Sequence, residues 1–251
     1  MQLYSFQNSK NDDSFPPGKS QNESRKDFLN SLFRTEQEAD SQTAIRAYKQ
    51  LLKINARVEQ KYIEEILLNL CRLLAKNRLY GEELYCRLTC RYYFDSMLSV
   101  PDALIREDKI NQAYRNVMLA LRKNPGKLKI IIISPELAVC NNLIEMVRST
   151  GNRQSYIFPV LERIASSNAR FLSDIDLIIC FDQNPAKLTQ FIKTQRKEHN
   201  RSILFALYCS SGETAKNIFR EYREIDYIMY TESMIFAVLH IALQKKVLHL
   251  E

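Results

Sequence analysis

Glycine is scarce, with five residues in a chain of 251. The stretch SPELAVCNN, which follows the first expected strand, has none, so it cannot bring backbone amides close to a pyrophosphate as a G-x-G-x-x-G turn does. Nucleotide binding at that corner is not expected. Histidine is rarer still: His199, His240 and His249 all fall late in the chain, and none stands at ligand spacing from a cysteine or carboxylate. The six cysteines (Cys71, Cys86, Cys90, Cys140, Cys180 and Cys209) contain no C-x-x-C pair. Cys86 and Cys90, four apart on an expected helix, supply two ligands at most, so neither a metal nor any other cofactor is expected. No apolar run approaches the roughly 18–20 residues of a membrane span, and the polar N-terminus has no secretory h-region. A cytoplasmic, reducing compartment is therefore the expectation, with cysteines in apolar runs acting as small hydrophobes.

What remains is ordinary for a soluble protein with a core: 45% apolar and 26% charged residues. The formal net charge of +7 comes from 36 basic and 29 acidic residues and is spread out, with 16 basic against 13 acidic residues in 127–251. That balance suits a mildly basic surface better than a nucleic-acid footprint. The basic run KTQRKEHNR (193–201) reads as a solvated helix end, where cations favour the macrodipole.

Residues 1–30 are polar, contain Pro-Pro-Gly and lack periodicity, which predicts a disordered tail. From about 42 to 124 the pattern is helical. Val58, Tyr62, Ile63, Ile66, Leu67, Leu70 and Leu74 recur at three and four, giving a continuous stripe over 57–77. Further helices are expected over 42–54, 81–98 and 103–123, the last starting after Pro101-Asp102 and stopped by Asn124-Pro125-Gly126. Together they predict an all-α helical bundle with a domain boundary at Pro-Gly.

Beyond residue 127 the period alternates. Short β-branched apolar runs at 128–134, 155–160, 176–181, 202–209 and 225–230 are each followed by a helical stretch, the last being 232–246. Five strand-helix units joined by right-handed crossovers predict a five-stranded, doubly wound parallel sheet of the flavodoxin-like α/β class. The expected organisation is therefore a helical bundle over 31–124 and an α/β domain over 127–251.

In strand order and spacing, residues 127–251 resemble a receiver domain, the CheY-like module of two-component signalling. The resemblance implies an acidic pair after the first strand, a phosphoacceptor Asp ending the third, Thr or Ser ending the fourth and Lys ending the fifth. Those places fall here on Ser134 and Pro135, Phe181, Tyr208 and Tyr230, with Glu136 and Asp182 as the neighbouring acids. Magnesium needs hard carboxylate oxygens, which Ser134-Pro135 lacks; Phe181 offers no nucleophile, and Tyr230 no ammonium. The resemblance thus implies a degenerate pseudo-receiver that acts through a protein partner without phosphorylation and without catalysis.

A second resemblance runs through KINQAYRNVMLALRKNPGKLKIIIISPE (109–136), which looks like the start of the L7Ae family of RNA-binding proteins. The family's G-x-N-E place is Ala113-Tyr114-Arg115-Asn116, without its Gly and Glu. This alternative implies contacts to kinked RNA from Lys109, Arg115, Asn116, Arg163 and Asn168, in a domain ending near residue 196.

In CRLTCRYYFD (86–95), Arg87, Arg91 and Tyr93 are candidate partner contacts, since Arg and Tyr anchor interfaces. Homodimerisation through the helical part is one form such contact takes. The acid pairs Glu64/Glu65, Glu82/Glu83 and Asp174/Asp176 have no nearby His, and adjacent helical residues do not face each other, so no acid-base dyad is nominated.

Overall fold

The computed structural model describes residue 45 and residues 60–94, 105–151, 155–160, 174–199, 203–222 and 224–248. The tail expected over 1–30, the helix over 42–54 (Ile45 apart) and the Pro101-Asp102 start signal lie outside these residues. The chain divides into two units, Met1–Lys53 and Ile54–Glu251, and the sheet with its helices belongs to the second.

Among the described residues of that unit come first α1 (Gln60–Lys76), α2 (Tyr80–Thr89) and, after a π-helical turn over Cys90–Phe94, α3 (Glu107–Lys123). Strands and helices follow: β1 (Ile130–Ile133), α4 (Leu137–Ser149), β2 (Ser155–Phe158), β3 (Leu177–Phe181), α5 (Pro185–His199), β4 (Leu204–Tyr208), α6 (Gly212–Glu221), β5 (Tyr227–Met229) and α7 (Glu232–Leu248), the helical stretch expected between β2 and β3 lying outside the described residues. All strand pairs are parallel and the order is β2-β1-β3-β4-β5. This is the flavodoxin-like order shared by receivers, in which the direction of winding reverses between β1 and β3. The fold is receiver-like α/β, with helices ahead of it.

Strands buried on both faces read as unbroken apolar runs rather than alternating ones. Ile130, Ile131, Ile132 and Ile133 are all fully buried, as are Leu177, Ile178 and Ile179, each such side chain contributing roughly 1.5–3 kcal/mol by leaving water. At the opposite end from the strand C-termini, two carboxylates tie neighbouring strands. Asp176 Oδ2 accepts from the Lys129 N–H at 2.8 Å and pairs with Lys246 Nζ at 2.7 Å. Asp226 Oδ2 accepts from the Phe205 N–H at 2.9 Å. The pair Asp174/Asp176 is therefore used in ion pairs and strand ends, Asp174 with Lys129 Nζ at 3.1 Å.

Helix α7 decides where the first helices go. Every residue from Met234 to Leu243 is buried, and a helix apolar all round must be covered on all sides. Its partners are α2 and α3. Leu84, Leu88, Ile110, Ala113, Val117 and Leu121 from those helices join one core cluster with the sheet. The expected boundary at Asn124-Pro125-Gly126 is a turn, with Gly126 at φ +73° and the Asn124 side-chain amide donating to the Ala120 carbonyl at 3.0 Å. The helices before that turn and the sheet after it share this core.

The approach of α2 to α7 is close enough to need glycine. A Cβ at Gly81 would stand 2.6 Å from the Ala237 carbonyl oxygen and 2.9 Å from His240 Nδ1. Instead, the Gly81 N–H donates to His240 Nδ1 at 3.1 Å, supplying an acceptor where Leu79 offers no side-chain cap. Further along α2, the Tyr85 hydroxyl donates to the Ile228 carbonyl at 2.9 Å and accepts from the Ile228 N–H at 3.0 Å. A single phenol thus satisfies both backbone groups at the outer edge of β5.

Candidate functional site: the C-terminal corner of the sheet

In open α/β sheets, ligands and chemistry collect beyond the carboxyl ends of the strands. Three helix starts frame that rim here. Asn184 Oδ1 accepts from the Ala186 and Lys187 N–H groups at 3.0 and 3.2 Å, Ser211 Oγ from Thr214 at 3.5 Å and Thr231 Oγ1 from Met234 at 3.4 Å. These short polar side chains cap α5, α6 and α7.

The rim itself is filled by rings. Phe181 and Tyr208 are register partners at the ends of β3 and β4, and their rings stack with centroids 5.2 Å apart and planes 20° apart. The Tyr208 hydroxyl donates to the Tyr230 carbonyl at 3.3 Å. Tyr230 in turn meets Tyr92, from the π-helical turn, edge to face at 5.2 Å. Its ring also lies over Gly212, where an added Cβ would stand 3.0 Å from it. Such aromatic pairs are worth about 0.5–1.5 kcal/mol each beyond their burial. The sequence marks Tyr208 and Tyr230 by position, and Tyr92 as a packed position on the stripe of its helix; that Tyr92 meets Tyr230 was not legible, because the partner lies in the last strand-helix unit.

Asp182, the first residue after β3, has φ +40°, a left-handed conformation that Asp tolerates better than most side chains. Its N–H donates to the Tyr208 carbonyl at 2.9 Å, and its Oδ1 accepts from the Ser210 N–H at 2.9 Å. The carboxylate therefore holds the loop between β4 and α6. Burial raises the Tyr208 phenol above its usual range, helped by the Glu232 and Asp182 carboxylates. Burial likewise pushes the Cys209 thiol up to about 12, with Asp182 adding to it. Both groups stay protonated at neutral pH and are poor nucleophiles.

At the end of β1, Ser134 is buried, and its Oγ accepts from the Glu136 N–H at 3.1 Å. Pro135 and Glu136 are exposed. Ser134 follows Ile133, whose partner is Cys180, so it stands level with Phe181 across the point where the winding reverses. Among the described residues no group of three or more His, Cys, Asp or Glu side chains is placed to hold a metal ion, and no helix is long and apolar enough to cross a membrane.

No family model matches the chain, and no curated protein matches it. Among solved structures, the crystal structure of a double mutant of the anti-anti-sigma factor PhyR from Bartonella quintana is similar, with 12% identity and a TM-score of 0.48 over 89% of this chain and 89% of that one. At that distance the likeness assigns no function, and the receiver-like fold rests on the strand order itself.

The remaining candidate residues are scattered. Arg87 is buried, with Nη2 2.9 Å from Glu83 Oε1, so its guanidinium is directed at its own helix rather than outward. Arg91 pairs with Glu107 at 2.6 Å and lies 5.8 Å from the centroid of the Tyr92 ring. The side chain of Tyr93 lies outside the described residues. Of the residues that the L7Ae resemblance implies, Arg163 and Asn168 lie outside the described residues, whereas Lys109 and Arg115 are exposed on α3 and Asn116 is half-buried there. The sheet continues through β4 and β5, so the α/β fold does not end near residue 196.

Proposed function

We propose that the chain is a pseudo-receiver: a non-catalytic regulator that acts on a protein partner without phosphorylation of its α/β fold. The stacked pair Phe181 and Tyr208, bonded on to Tyr230, is the observation that carries this reading. Aspartyl phosphorylation needs an accessible carboxylate nucleophile, further acids to hold Mg²⁺ and a cation to meet the transferred group. At this rim an aromatic stack stands at the ends of β3 and β4, Ser134 and Pro135 take the places of acids, and Tyr230 takes the place of the cation. Asp182, though exposed, has one carboxylate oxygen engaged by the Ser210 amide. A receiver-like fold with such a rim retains surfaces for recognition, and protein contact is the use that fits them.

The test is incubation of the full chain with acetyl phosphate and Mg²⁺, followed by intact-mass measurement. No phosphoryl adduct is expected on the wild type or on Asp182→Ala. An adduct that forms on the wild type and vanishes in Asp182→Ala overturns the proposal.

A further inference from the structure

Helix α3 turns Ile110, Ala113, Val117 and Leu121 into the core. At 100° per residue, the opposite side carries Gln112, Arg115, Leu119, Arg122 and Lys123. Leu119 is 56% exposed, the most of any large hydrophobic among the described residues. Arg115 lies one turn before it, and Arg122 and Lys123 one turn after it; all three are exposed, with no carboxylate partner among the described residues. Several cations elsewhere on the described surface do face acids: Arg148 with Glu145 at 3.0 Å, Lys193 with Glu224 at 2.9 Å and Arg196 with Asp226 at 2.7 Å. The two acids of α3, Glu107 and Asp108, are both exposed and both held by other cations, Glu107 by Arg91 at 2.6 Å and Asp108 by Arg106 through two bonds of 2.9 Å. The result is an apolar spot bracketed along one helix by positive charge that no carboxylate among the described residues meets.

We infer that this outward face of α3 docks an acidic amphipathic helix of a partner protein. The inference rests on the protein-partner reading above and names its surface. A facing helix with the pattern Glu-x-x-x-Leu-x-x-Glu sets its leucine on Leu119 while its carboxylates reach Arg115 at one end and Arg122 or Lys123 at the other. Side chains three and four apart share a helix face, so the two patterns match in spacing as well as sign. A nucleic acid would find the same cations, but its phosphates gain nothing from the leucine between them and would leave it against charge. The exposed apolar centre therefore favours a protein helix.

The test is fluorescence anisotropy of the full chain with a labelled synthetic helical peptide carrying that pattern. The comparison probes are an isomer of the same composition with leucine moved to the opposite face, and single-stranded and duplex oligonucleotides. The patterned peptide is expected to bind about tenfold tighter than its isomer, and added salt weakens it. Arg115→Glu combined with Arg122→Glu costs about tenfold or more, and Leu119→Ser about fivefold, both with unchanged circular dichroism because the sites are exposed. Equal binding of the two peptides, no binding of either, or indifference to these substitutions overturns the inference and leaves the protein-partner reading standing. Tighter binding of an oligonucleotide than of either peptide overturns both.

Discussion

At one edge of the sheet, a phenol from α2 bonds both backbone groups of Ile228 and closes β5. At the other edge, β2 presents Tyr156 and Ile157 at 40% and 43% exposure. An open edge is a template for further pairing, and proteins manage it by covering, shortening or charging it. Here the covering comes from helices that precede the α/β part in sequence. The difference teaches that these helices complete the fold: they hide the outer face of α7 and close the rim of β5.

The strongest way to break that contrast is to pry α2 from α7. Gly81→Val pushes a branched side chain against the Ala237 carbonyl and removes the fit that lets the Gly81 amide reach His240. A loss of about 4 kcal/mol is expected in urea denaturation, from overpacking plus an orphaned donor.

Acid works on the same contact from the other side. His240 is buried, and burial lowers its imidazole from 6.5 to about 4, with Gln244 opposing the shift. Its polar and aromatic neighbours among the described residues are the Gly81 amide, the Tyr80 ring at 6.2 Å and Gln244. Protonation replaces the acceptor of the Gly81 amide with a donor and sets a positive charge at a helix N-terminus. Because the unfolded chain takes up this proton first, the contribution is complete above pH 6.5 and is lost as pH falls towards 4. It amounts to about 3 kcal/mol when fully lost. Denaturation midpoints measured across that window fall for the wild type and fall less for His240→Gln, whose amide oxygen can still accept.

The smallest effects sharpen the comparison between the two edges. Tyr85→Phe leaves the Ile228 N–H and carbonyl without the phenol and costs about 2 kcal/mol, with faster hydrogen exchange at the Ile228 amide. A change on the other edge, Ile157→Lys, stays within about 0.5 kcal/mol. Equal losses from the two substitutions would mean that the edges are not distinguished by the helices.

All five strands were legible in the sequence, each within a few residues of its observed ends, because a sheet covered on both faces writes its strands as continuous apolar runs. The run expected over 128–134 is Ile130–Ile133, and that over 202–209 is Leu204–Tyr208. The alignment of Phe181 with Tyr208 came from strand spacing and is a register pair. Helix boundaries were less legible. The expected helix over 81–98 is α2 and then a π-helical turn, and α3 begins at Glu107.

What local patterns did not disclose was which helices touch. Periodicity in α1, α2 and α3 says that each has an apolar face but not what covers it. One signal was present and went unread: MIFAVLHIAL, residues 234–243, is too apolar for a helix with a solvent side, and so called for cover from elsewhere in the chain. The same holds for Arg87, whose buried pairing with Glu83 no local pattern disclosed. Tyr85 stands on the apolar stripe of its helix, but its bonds could not be read there, since its partners are main-chain atoms 143 residues away.

That separation has a consequence during synthesis. The seat of Tyr85 does not exist until the ribosome has added the final strand, and α7, the seat of α2 and α3, comes later still. The faces of α2 and α3 that meet α7 must therefore wait uncovered, although these helices can already pack on each other, and closure of the molecule becomes a late, long-range event in its folding.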